Sequence, residues 1–375
     1  MKRIIAFFVT LFIFILPISA EETLPEEYFD FSASLPEDVA SELPEGFFSG
    51  NISELSDSLF DVTSPKYIIS VIFDTLSGGL GGAFSLFALL VGMLALASLL
   101  SAFTEGLISG ELKNAVNYAI SICISGAVVG LQVGRIGAVS EFFKRLIILM
   151  NSLIPIMGAL YLSGGNTMGA ALASSSLLVQ INLIELAVSS IVIPAVSACL
   201  ALTLADSLVP GESRLSGISG SIKRTLAFIF GLCSTLLMAT LSAQSILASA
   251  SDSAGARAVK FLAGNMIPVV GSTVGDTLRT LAASVKLMRS TVGVAGIVAL
   301  ALLLLPTIIE LFLTRFVFNT AAAVGELLGC KSAVRLYREI ASLYGYIIAA
   351  AALSSLLCVF ALTLFAIGGV AIGGG

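Results

Sequence analysis

At 375 residues, 57% of them hydrophobic and only 11% charged, the chain holds more apolar surface than a water-soluble core can hide, and its mean hydropathy of +1.04 identifies lipid as its main solvent. His and Trp are both absent, which removes the commonest general base, the commonest metal ligand and every Ser-His or Cys-His nucleophile pair. No catalytic, cofactor-binding or metal-ligating set is visible, and no enzyme is expected.

Taken in chain order, Lys2 and Arg3 precede an apolar run from Ile4 to Leu16, then Pro17, Ile18, Ser19 and Ala20 lead into Glu21 and Glu22. This is the pattern of a signal peptide over residues 1–20 with cleavage after Ala20, the alternative being an uncleaved anchor. Residues 21–78 form an acidic exported region. Thirteen Asp or Glu face Lys66 alone between residues 21 and 74, so this part outweighs the chain's net charge of −5. Its LPE strings suit short helices at a membrane surface, Pro opening a first turn that acids then favour.

From residue 79 to 367 a polytopic helical membrane domain is expected, with apolar segments near 83–104, 114–134, 146–163, 171–205, 225–250, 291–325 and 340–367. A span needs about 20 residues to cross about 30 Å of hydrocarbon, so the longer segments must tilt, bend or protrude. Gly78, Gly79, Gly81 and Gly82, with the Ala- and Ser-rich stretch from Ala170 to Ser176, permit close backbone approach within the chain or between subunits. The five cysteines stand far apart with no CxxC and read as apolar packing residues. Residues 368–375 read as a glycine-rich tail.

Landmarks recur along this domain. LIPIMG, Leu153 to Gly158, returns as MIPVVG, Met266 to Gly271; Pro194 returns as Pro306; basic residues open apolar helices at Lys113, Lys223 and Arg335. All repeat at about 112 residues, giving units near 113–224 and 225–336, parallel or inverted. Between spans, re-entrant or broken helices are expected around the IP-x-x-G strings. Asp276, Arg279, Lys286 and Arg289 fall on one helical face of the segment 257–290, which therefore reads as amphipathic, lying on the membrane or lining a wet cavity.

Charged residues within apolar runs are costly and so are functional candidates: Glu185, Asp206, Glu310 and Arg315. Glu310 and Arg315 either neutralise each other across the Pro306 bend or line a pore; Asp206 and Arg315 suit the headgroup level. The loops near Arg214 to Arg224 and Lys331 to Arg338 are basic, but so are Arg135 to Arg145 and Arg279 to Arg289, so charge leaves the orientation open. No GxxxxGK[ST] run occurs, and any energy from ATP would have to come from a partner.

The pattern GN-x-IPVVG-x-x-x-x-DTL, with Gly264, Asn265, Pro268, Gly271 and Asp276 as the candidate helix-break motif, resembles the stage III sporulation protein AE family of endospore formers. The likeness extends to the layout of signal peptide, acidic exported region and repeated apolar segments. It implies a non-enzymatic membrane subunit of the channel or secretion-like complex that joins mother cell and forespore. It also implies a place in the mother-cell membrane around the forespore, partners that include a cytoplasmic ATPase and exported ring-forming subunits, and a need for the protein in forespore development. It implies no active site, no cofactor and no nucleic acid. The alternative from the residues themselves is an autonomous secondary transporter built on the repeat and Glu310.

Overall fold

The computed structural model describes residues 64–107, 111–163, 271–367 and, with short gaps, 175–208 and 217–242. Every regular element among them is helical. Expectations for residues 1–63, for Glu185, Gly264, Asn265 and Pro268, and for the tail 368–375 lie outside the described residues.

The first helix, α1 (Pro65–Leu107), starts where local chemistry says it should. Ser64 Oγ accepts the Tyr67 backbone N–H at 3.2 Å, and Pro65 takes the first helical position, where no N–H is needed. The helix passes without a break through the glycine cluster at Gly78 to Gly82. It is followed by α2 (Glu111–Ser163), whose 53 residues include Pro155.

Two expectations are revised by α2. The apolar segments 114–134 and 146–163 are one helix, because Arg135, Glu141, Lys144 and Arg145 interrupt the hydropathy but not the backbone hydrogen bonding. The LIPIMG string, expected at a break, lies inside the last turns of the same helix.

Helical turns after residue 181 run into a π-helical turn, Val188–Val192, and then into α3 (Ile193–Leu208). Pro194 accounts for the wider turn: it has no N–H for the Ser190 carbonyl, and the Ile193 N–H reaches back five residues to the Val188 carbonyl. Next comes α4 (217–235).

Helix α5 (Gly271–Leu327) has 57 residues and contains Pro306; at 1.5 Å per residue it is about 85 Å long, nearly three hydrocarbon thicknesses. The segment expected as a separate amphipathic helix is, from Gly271 onward, the first third of this helix. Its backbone is continuous with the apolar span that begins at Thr291.

The last helix, α6 (Lys331–Ile367), is joined to α5 by a turn that follows from Gly329. With φ of +73°, Gly329 takes the left-handed conformation that ends helices cheaply only at glycine. The Cys330 N–H then bonds the Gly325 carbonyl at 3.0 Å and the Gly329 N–H the Glu326 carbonyl at 3.2 Å, satisfying two carbonyls at the helix end.

Among the described residues, four helices are long and apolar enough to cross a membrane, over Ile69–Thr104, Ala115–Ala159, Thr291–Leu327 and Lys331–Thr363. The core is built around the α5–α6 hairpin. Phe318 meets Tyr337 edge-on at 5.7 Å and stacks on Tyr344 at 6.3 Å, and Leu300, Leu303, Ala321 and Ala351 are buried elsewhere along the same two helices. Phe73, Phe84, Leu96 and Phe103 of α1, with Phe228 of α4, are exposed, the surface expected where lipid is the outer solvent. Cys199 and Cys358 are buried and suit the packing role expected of them, whereas Cys123 is exposed.

The hairpin tips share one end. Ser98 Oγ of α1 donates to the Leu328 carbonyl at 3.2 Å, Ser101 Oγ donates to Asn117 Oδ1 of α2 at 3.5 Å, and Tyr337 OH donates to the Leu90 carbonyl at 3.2 Å. The end of α3 and the start of α4 are tied to the start of α6 by ion pairs described below.

In a cysteine-free background, single cysteines at Glu111, Gly217 and Lys331 should therefore label from one membrane face, and cysteines at Ser163 and Gly271 from the other. Labelling of Gly217 and Lys331 from opposite faces would contradict the hairpin arrangement.

Candidate functional site

Two polar layers cross this apolar bundle. The first lies near the tips, where α3 ends and α4 and α6 begin. Lys223 Nζ donates to Glu339 Oε2, and to Ser342 Oγ at 3.3 Å; its side chain is 8% exposed and that of Glu339 34%. Arg335 donates to Asp206 Oδ2 at 3.3 Å, with the Asp206 side chain 8% exposed. Arg338 pairs with Glu326 in a more open setting.

Charge is costly at depth and cheap near water, so this layer fits one membrane boundary. It also joins three helices through groups that could not be left single.

The second layer is deeper. Counting from Gly329, Thr314 lies fifteen residues back and Tyr344 fifteen on, which places both about 22 Å from the tip along their helices. At this level Arg135 Nη1 of α2 donates to Thr314 Oγ1 at 2.6 Å, and Tyr344 OH donates to Gln132 Oε1 at 2.5 Å. Gln132 is buried, and its Nε2 has no acceptor.

Arg135, Thr314 and Tyr344 border a cavity of about 440 Å3 between α2, α5 and α6, lined also by Glu141, Arg145, Thr307 and Glu310 among others. Pro306 also lines it and offers no N–H to the carbonyl of Leu302, another lining residue. Two guanidinium groups, two carboxylates and three hydroxyls, from Thr307, Thr314 and Tyr344, thus line one space. Glu141 is already paired with Lys144 at 3.6 Å, and the polar set suits holding water or a small polar solute.

Of the residues singled out in the sequence, Asp206 and Glu310 stand in these two layers. Asp206 lies in the layer near the tips, buried and paired with Arg335. Glu310 lines the deep cavity and Arg315 a different depression on the outer side of α5 and α6. The two do not pair with each other, because five positions on a helix set their side chains on different faces. Gly271 and Asp276 fall in the first turns of α5.

Arg135, Gln132, Tyr344 and Glu339 were not legible as site residues. Lys223 and Arg335 were visible as basic residues opening helices, which is the one signal that pointed toward their partners.

Residues 51–369 match the family model described as Stage III sporulation protein AE (spore_III_AE). Among curated proteins, Stage III sporulation protein AE of Bacillus subtilis (strain 168) is 25% identical over 224 residues, covering 60% of this chain and 56% of that protein. The match thus spans little more than half of the relative's length. No solved structure matches.

Proposed function

The chain belongs to the stage III sporulation protein AE family, and we propose that it is a non-enzymatic membrane subunit of the channel or secretion-like complex connecting mother cell and forespore. In this reading it sits in the mother-cell membrane around the forespore and is required for forespore development. A cytoplasmic ATPase and exported ring-forming proteins supply energy and the extracellular part. The observation that carries it is the family match, which runs through all four apolar helices. The two units of about 112 residues would then be two copies of one membrane-inserting unit.

Deleting the gene in the spore former that encodes it should arrest forespore development, with restoration by the intact gene. Normal spores after deletion would sink the proposal.

A second reading, an autonomous secondary transporter, is favoured by the deep cavity at Pro306 with its carboxylate Glu310. It requires solute flux by the purified protein in liposomes without partners, abolished by Glu310→Gln. As a subunit of a larger channel, the protein should move no solute alone, and Glu310→Gln should lower spore yield while leaving the protein in the membrane.

A further inference from the structure

Arg315 lies within the apolar span Thr291–Leu327, twelve residues from its end near the tips, yet among the described residues it forms no hydrogen bond and no ion pair. A guanidinium held in hydrocarbon without an acceptor is costly, and here it is held in a definite place. A Cβ built on Gly345 of α6 would lie 3.2 Å from both Cζ and Nη1 of Arg315 and 3.5 Å from Nη2. The planar group therefore rests flat on the bare backbone of Gly345, a seat that any larger residue would fill.

The seat opens into a depression of about 390 Å3 lined by Arg315, Asn319, Arg338, Ser342 and Tyr346. Arg338 enters it already paired with Glu326, and Ser342 already accepts from Lys223. The net charge offered is therefore the one positive charge of Arg315, with an amide and a phenol beside it.

Phe316, next to Arg315 in the chain, is 56% exposed, so the depression lies beside surface that lipid covers. It runs toward the charged layer near the tips, the boundary at which lipid headgroups sit.

We propose that this depression binds the phosphodiester of an anionic phospholipid. Arg315 supplies a fork of donors to the phosphate oxygens, Asn319 and Tyr346 supply neutral donors, and the acyl chains lie along the exposed face of α5. The chemistry would also suit a soluble phosphate. A soluble anion, however, would have to leave water to reach a seat beside lipid-covered surface, whereas a lipid phosphate arrives along the membrane with its chains already in hydrocarbon.

The test uses the full chain in nanodiscs of phosphatidylcholine with phosphatidylglycerol, released into mild detergent and read by native mass spectrometry for retained lipid. Wild type should keep phosphatidylglycerol in preference to phosphatidylcholine. Arg315→Gln should lower that preference about tenfold, the loss expected for one charge-assisted forked contact. Gly345→Val should do the same while keeping the charge, and Arg315→Lys should fall between.

Arg224→Gln, an exposed site on α4, should retain wild-type preference. Displacement of the retained lipid by inorganic phosphate at millimolar concentration would overturn the lipid assignment in favour of a soluble anion. A change of oligomeric state in Arg315→Gln at unchanged lipid preference would overturn it in favour of a contact between copies.

Discussion

Glu339→Ala should destabilise the folded protein by about 3 kcal/mol, because it leaves the buried ammonium of Lys223 without its counter-charge and breaking one side of a buried pair typically costs 3–5 kcal/mol. Lys223 is 8% exposed, and its remaining donor contact, Ser342 at 3.3 Å, is a neutral oxygen that cannot offset a charge. The double replacement Lys223→Met with Glu339→Met should return to within about 1 kcal/mol of wild type, since removing both charges removes the desolvation cost with the attraction.

The Asp206–Arg335 pair should behave more mildly. Arg335 is 47% exposed, so Asp206→Asn leaves a guanidinium that water or headgroups can reach, and the expected loss is about 1 kcal/mol. Reversible unfolding in mixed micelles, with a double-mutant cycle for each pair, measures both. Equal losses for the two single replacements would show that burial of Lys223 does not set the cost.

These pairings explain what could be read in the sequence and what could not. Hydropathy alone located the four long apolar helices among the described residues, because burial in lipid depends on composition over a window and not on partners. It split α2 in two because it scores Arg135, Glu141, Lys144 and Arg145 as interruptions. A helix carries such residues without a break when they face protein or a cavity, as Arg135 does against Thr314.

The ion pairs were out of reach for a different reason. Lys223 and Glu339 are 116 residues apart and Asp206 and Arg335 are 129 apart, and no local pattern states which acid a helix-opening base will meet. The deep cavity had one legible member, Glu310, and others that were illegible, since Thr314 and Tyr344 are unremarkable until the helices set them at one level. The family pattern is cut at residue 271: Gly271, Asp276, Thr277 and Leu278 lie in the first turns of α5, and the stretch from Gly264 through Pro268, where the break is expected, lies outside the described residues.

Gly325→Leu should be the most disruptive single change in the bundle, through crowding and not through charge. A Cβ at residue 325 would stand 2.7 Å from Val334 Cγ2 of α6, and 3.2 Å and 3.3 Å from the two methyl carbons of Leu94 in α1. The α1, α5 and α6 surfaces thus meet over a bare backbone, the small-residue contact that close helix packing in membranes relies on.

Relief by shifting α5 is blocked. The Gly325 carbonyl accepts the Cys330 N–H, and the next carbonyl that of Gly329, so moving the helix end opens the turn. Even Gly325→Ala should lose about 1–3 kcal/mol to overpacking, against a gain in helix propensity of about 1 kcal/mol.

Gly325→Leu should exceed that and separate α1 from the hairpin, freeing Tyr337 OH from the Leu90 carbonyl. Val334→Ala removes the nearest methyl group and should recover part of the loss in a Gly325→Ala background, while costing stability alone by opening a void at a 6% exposed site. Coupling of opposite sign, or a stabilising Gly325→Ala, would mean that the three helices do not meet at this glycine.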